Sequence, residues 1–188
     1  PYEITRFADL VGEGGGVPVV HVPGPPVIHL TLLTSMFIHG GFLHLIGNML
    51  YLWIFGNNIE DLLGPVRFLL FYVLCGLAAA LAHIVSSPAS TIPTVGASGA
   101  VSGVLGAYLI AHPKARVLTL VFLGFFIRVM LVPASVLLVF WFVIQIASGL
   151  ASLSMKVPGG GVAWFAHVGG FVAGVVLLKL FAGERLRW

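Results

Sequence analysis

Residues 97–112 read ASGAVSGVLGAYLIAH, an uncharged run in which Ala, Ser and Gly fill more than half of the positions. The run is apolar enough for a membrane and short for a crossing, which takes about 20 residues as a helix. Gly99 and Gly103 lie four apart, and Gly106 and Ala107 extend the pattern. Small residues at that spacing let helix backbones approach closely in lipid. Ser98 falls where the preceding loop turns into this helix. The stretch is read as one span of a helical bundle.

Four similar candidates surround it. They are residues 41–58, GFLHLIGNMLYLWIFGNN; 66–86, VRFLLFYVLCGLAAALAHIVS; 133–153, PASVLLVFWFVIQIASGLASL; and 162–182, VAWFAHVGGFVAGVVLLKLFA. Gly64-Pro65, Pro88, Pro93, Pro113 and Pro158-Gly159-Gly160-Gly161 punctuate the connections. Residues 27–38 are apolar but too short to span, and are expected to be interfacial or half-buried. Residues 1–26 read as an irregular segment rich in Gly and Pro. Residues 117–131 are apolar but contain Arg128, and charge at mid-bilayer costs about 2.5–3.5 kcal/mol. That stretch is placed at or near one membrane face, not across it. The fold class is therefore all-α and polytopic, with five spanning helices.

Composition agrees with this reading. Of 188 residues, 59% are hydrophobic and only 8% are charged, whereas a soluble domain is about one quarter charged. The formal charge of +3 rests on few residues, with no basic stripe suited to nucleic acid. Cys75 is the single cysteine, so neither a disulfide framework nor a cysteine zinc site is available. No metal or cofactor is expected. The first residues lack the basic and apolar blocks of a signal peptide. The chain begins at Pro1 and is expected to be a fragment or a processed product.

Five spans sort the basic residues. Arg67, Lys114, Arg116, Arg128, Lys179, Arg185 and Arg187 fall on one side, and Arg6 and Lys156 on the other. The richer side is expected to be cytoplasmic. The first, third and fifth spans then begin at the outer face. Residues 1–188 read as one membrane domain. Residues 1–40 are its extracytoplasmic segment, 41–182 its helical core and 183–188 its cytoplasmic tail.

Three polar clusters interrupt the apolar helices, and polar groups in a membrane tend to mark function. His44 and Asn48 are four apart and share one helical face. They are donors for an anionic oxygen or partners for a neighbouring helix. Ser98, in Gly96-Ala97-Ser98-Gly99, is a nucleophile beside unpaired helix amides or an ordinary cap. His167 sits early in the last span, before Gly169 and Gly170, as a base or a structural histidine. All three clusters lie near the starts of alternate spans, so they meet at one depth near the outer face. A serine, a histidine and a His/Asn donor pair at one depth are parts of acyl-transfer chemistry. No acidic residue is placed to complete a triad, so a Ser98–His167 dyad is expected, its imidazole oriented by packing or by another hydrogen bond. Gln145 is expected to face a neighbouring helix or the cavity. Trp53, Trp141 and Trp164 read as packing or interface aromatics.

The blocks HGGFLHLIGNMLYLWIFGNNIEDLLG (39–64), GASGAVSGVLGAYLIAHP (96–113) and AHVGGFVAG (166–174) together resemble the rhomboid family of intramembrane serine proteases. The resemblance covers about residues 35–182. It implies a six-helix core, so a first helix would precede residue 1. It implies a serine endopeptidase acting on transmembrane protein substrates within the lipid bilayer, with Ser98 as nucleophile, His167 as base, and His44 and Asn48 on the oxyanion side. A bacterial cytoplasmic membrane, with the site open to the extracytoplasmic side, is the expected location. Three departures stand out: the absent first helix, Leu30-Thr31 where many members have Trp-Arg, and Ser102 where some place a tyrosine against the histidine. The alternative is a catalytically inactive rhomboid-like protein that binds membrane clients. A transporter and an HExxH metalloprotease fit poorly, because no acidic residue lies within a span and no such motif is present.

Overall fold

The structure, a computed structural model, describes residues 4–5, 11–14, 17–20, 27–90, 94–123, 126–154 and 162–183. Five helices carry the fold. They are α1 (Phe42–Leu63), α2 (Pro65–Ser86), α3 (Ser98–Ala111), α4 (Ala134–Ser154) and α5 (Trp164–Ala182). A run of short helical turns, Ile28–Phe37, precedes α1 and meets it at 79°. The predicted helices and the observed ones agree within a few residues, except at the end of α1. That helix was expected to stop near residue 58, yet it continues to Leu63 through a π-helical turn at Leu52–Gly56. Ile59 and Leu63 explain the extension, since they are 0% and 2% exposed on the inward face, while Asn57 and Asn58 point outward. Gly64, at φ 82°, then turns the chain directly into Pro65 at the start of α2.

Two hairpins add a small β component. In the first, β1 (Val11–Gly14) pairs antiparallel with β2 (Val17–Val20). The segment 1–26 was expected to be irregular, and this pairing corrects that expectation. Val11, Val17, Val19 and Val20 are β-branched and favour extended backbone, and the intervening glycines are hairpin signals as much as loop signals. In the second, β3 (Arg116–Leu123) pairs with β4 (Phe126–Pro133), with Val121 opposite Arg128. The stretch 117–131 therefore makes no helical crossing. Its strand character is visible in the alternation of half-buried Val117, Thr119 and Val121 with exposed Leu118 and Leu120.

Helix α3 occupies the middle of the bundle, and every residue from 99 to 108 is buried. Small residues make that possible. A Cβ on Gly170 or Gly174 of α5 would collide with the carbonyl oxygen of Gly99 or Gly103 respectively, so the α3 and α5 backbones lie in direct contact. Gly99 and Gly103 also receive the side chains of Ala79 and Cys75 from α2. With 14 residues, α3 is about 21 Å long at 1.5 Å per residue, less than the hydrocarbon thickness of about 30 Å. The deficit is tolerable because its ends meet protein instead of lipid. Away from Ser98, an apolar cluster of Phe55, Ile59, Phe71, Tyr108, Leu138 and Leu178 closes the other end of the bundle.

The outer faces are apolar. Leu43 is 87% exposed, Val85 81% and Leu180 72%. Surfaces of this kind are at ease only in lipid. Among the described residues, α2, α4 and α5 are each long and apolar enough to cross a membrane, and α1 qualifies together with the turns before it. The chain is an integral, multi-pass, mostly helical membrane protein. Of the predicted outer loop at 154–161, residues 155–161, with Lys156, lie outside the described residues, as do the tail residues Arg185 and Arg187.

Candidate active site

Ser98 is the first residue of α3, and the chain reaches it through Gly96 at φ 113°. Gly96 is tied down by its N–H, which donates to the Ser35 carbonyl at 2.9 Å. This anchors the entrance of α3 to the turns before α1. The first amides of a helix lack intrahelical acceptors and carry its positive dipole end. Ser98 therefore stands among donors. The Ser102 hydroxyl donates to the Ser98 carbonyl at 2.6 Å, so Ser102 serves its own helix and takes no part in holding the histidine.

His167 lies in the first turn of α5. Its Nε2 is 2.8 Å from Ser98 Oγ, across 69 residues of sequence. The contact follows from the glycine crossing described above. Gly99 succeeds Ser98, Gly170 is three residues beyond His167, and these two glycines touch. Any side chain at Gly170 would push Ser98 and His167 apart.

His44 and Asn48 occupy one face of α1 and both approach Gly96. A Cβ built there would stand 2.6 Å from His44 Cε1, 2.7 Å from His44 Nε2 and 3.6 Å from Asn48 Nδ2. Asn48 is 7% exposed, and its Nδ2 has no hydrogen-bond partner among the described residues. A buried unpaired amide donor costs about 1–3 kcal/mol, which is a reason to look for an acceptor that arrives with a substrate. His44 is exposed, and its ring meets that of His39 edge-on at 5.2 Å. The structure thus brings Ser98, His167, His44 and Asn48 to one end of the bundle.

Three further residues complete the surroundings of His167. Gln145 on α4 is 5% exposed, and its Oε1 lies 2.8 Å from His167 Nδ1. Trp141, four residues earlier on the same helix, lies against the imidazole with ring centroids 5.9 Å apart and planes at 35°. Trp164 meets it edge-on at 6.4 Å and 89°. By sequence, Gln145 fits a neighbouring helix or the cavity, and Trp141 and Trp164 read as packing or interface aromatics. The signal was there, since Trp141 and Gln145 are four apart and so share a face. Nothing in the sequence indicated that the face met His167. Among the described residues, no group of three His, Cys, Asp or Glu side chains is arranged to hold a metal ion.

The family model described as the rhomboid domain matches residues 29–184. Among similar proteins, rhomboid protease GluP of Bacillus subtilis is 34% identical over 143 residues, covering 76% of this chain and 24% of that protein. Rhomboid protein 1, mitochondrial, of Saccharomyces cerevisiae is 31% identical over 156 residues, covering 78% of this chain and 40% of that one. Putative rhomboid protease YdcA of Bacillus subtilis is 38% identical over 78 residues, covering 42% of this chain and 39% of that protein. The chain thus spans less than half the length of each of these relatives.

Proposed function

The chain belongs to the rhomboid family, and from that premise we propose that it is an intramembrane serine endopeptidase that cleaves transmembrane segments of membrane proteins through a Ser98–His167 dyad. The observation that carries the reading is the 2.8 Å approach of His167 Nε2 to Ser98 Oγ inside an apolar bundle. The names of the relatives, two of them called rhomboid proteases, support it.

In this mechanism Ser98 Oγ attacks the scissile carbonyl carbon while its proton passes to His167 Nε2. The carbonyl oxygen becomes an oxyanion. Asn48 Nδ2, the His44 imidazole and the amides at the α3 N-terminus are its donors. The C–N bond then breaks as His167 returns the proton to the leaving amine. Water attacks the acyl-enzyme, His167 takes the water proton, and Ser98 is regenerated. The roles of His44 and Asn48 follow from their approach to Gly96, two residues from the nucleophile.

The proposed orientation puts Ser98 near the extracytoplasmic face of a bacterial cytoplasmic membrane, with residues 1–40 outside and 183–188 inside. The basic-residue bias supports this sidedness. The chemistry is tested with a fluorescent fluorophosphonate on detergent-solubilised protein. Ser98 labelling in wild type, abolished in both Ser98→Ala and His167→Ala, is the expected result. A folded wild type that takes no label would favour the client-binding alternative.

A further inference from the structure

A dyad base must solve a problem that the two residues alone do not. A neutral imidazole carries its proton on either ring nitrogen, and only the Nδ1–H form presents a lone pair to a hydroxyl at Nε2. In a triad, a carboxylate on Nδ1 selects that form. Among the described residues, no carboxylate is bonded to His167 Nδ1. In its stead the buried Gln145 amide oxygen lies 2.8 Å from His167 Nδ1, and an amide oxygen can only accept.

We propose that Gln145 is the positioning residue of the site: its side-chain oxygen holds the proton on His167 Nδ1 and aims Nε2 at Ser98. The proposal rests on the dyad reading above.

Three features of the structure support it. First, Gln145 is 5% exposed in the middle of α4, and every other residue from Val136 to Ala147 is apolar. A polar side chain there is costly without a partner, and His167 Nδ1 is the partner it has. Second, Trp141 stands one turn before Gln145 and covers the imidazole at 5.9 Å. Helix α4 therefore supplies both a hydrogen bond along the ring plane and a surface across the ring face. Third, Ser102, where some rhomboids place a tyrosine against the histidine, is bonded to Ser98 O at 2.6 Å. From helix α3, the hydrogen bond to the ring is the one with Ser98. The base is on α5 and the nucleophile on α3, so the correct tautomer depends on the seating of a third helix.

The test pairs two readouts on the intact protein. Histidine-selective 15N spectra report which ring nitrogen carries the proton, with His167→Ala identifying the signal. Fluorophosphonate labelling reports nucleophile activation. Gln145→Met keeps the volume and removes the acceptor. Gln145→Glu keeps an acceptor oxygen. Wild type is expected to hold the proton on Nδ1. Gln145→Met is expected to lose that single tautomer and to label about ten- to a hundredfold more slowly, the range that orienting partners of ligating histidines show. Gln145→Glu is expected to label faster than Gln145→Met. A wild-type spectrum without the Nδ1 proton would overturn the proposal. So would a Gln145→Met protein with an unchanged spectrum and rate, or equal slowing in both variants with the tautomer unchanged, which is the signature of packing alone. A wild type that holds the Nδ1 proton but takes no label would leave the positioning role standing and remove the protease reading.

Discussion

The carbonyl oxygen of Gly99 stands where a side chain on Gly170 would have to go. Together with the contact of Gly103 on Gly174, this contact sets the distance between α3 and α5, and it is the one nearer to Ser98 and His167. Gly170→Ala is expected to force the helices apart, at about the 1–3 kcal/mol typical of overpacking. Loss of fluorophosphonate labelling should accompany a lowered melting temperature. Gly47→Ala is the control, because nothing lies within 4 Å of its Cβ position. It should melt at or above the wild-type temperature, since Ala is favoured over Gly in a helix by about 1 kcal/mol.

Gly96 and Gly64 both have positive φ, at 113° and 82°, but they differ in what surrounds them. A Cβ at Gly96 would press on the His44 ring at 2.6 Å, whereas one at Gly64 would meet nothing within 4 Å. Gly64→Ala therefore reports backbone strain alone. Gly96→Ala adds displacement of His44. Comparable destabilisation in thermal melts, with a larger drop in labelling for Gly96→Ala, is the expected outcome. Equal labelling by the two variants would argue against a role for His44 near the oxyanion.

The helices were legible because lipid imposes long apolar runs, and breakers such as Gly64-Pro65 mark their ends. The small-residue spacing at Gly99, Gly103, Gly170 and Gly174 predicted close approach, and the structure pairs these glycines one to one. The convergence of Ser98, His167, His44 and Asn48 followed from alternate spans starting on one side. What escaped was lateral. A helix sequence shows which residues share a face but not which neighbour that face meets, so Trp141 and Gln145 could not be assigned to His167. The hairpin Arg116–Leu123/Phe126–Pro133 was read by its hydrophobicity, while its two-residue alternation at Val117, Thr119 and Val121 went unused.

Asn48 separates stability from activity. Its Nδ2 is buried without a partner among the described residues, so Asn48→Ala leaves no donor behind unsatisfied. The variant is expected to melt within a few degrees of wild type. Removing one oxyanion donor costs about 10²–10³ in rate, and the labelling rate should fall in that range. A variant that melts far below wild type would instead mark Asn48 as a structural side chain.

Sidedness can be read with single cysteines, because the native Cys75 is 0% exposed and should stay silent towards a membrane-impermeant maleimide. Ala89 and Lys114 are both exposed. Ala89 lies in the connection that enters α3 at the Ser98 end, and Lys114 lies just past the other end. If the Ser98 end faces outward, Ala89→Cys should label in intact bacterial cells, and Lys114→Cys only after permeabilisation. The reverse pattern would put the dyad near the cytoplasmic face, against the bias of Arg67, Lys114, Arg116, Arg128 and Lys179. Under the proposed function, substrates would then be cleaved from that side. Ser98 and the basic residues lie toward opposite ends of α3, so one labelling pattern fixes the sidedness of both.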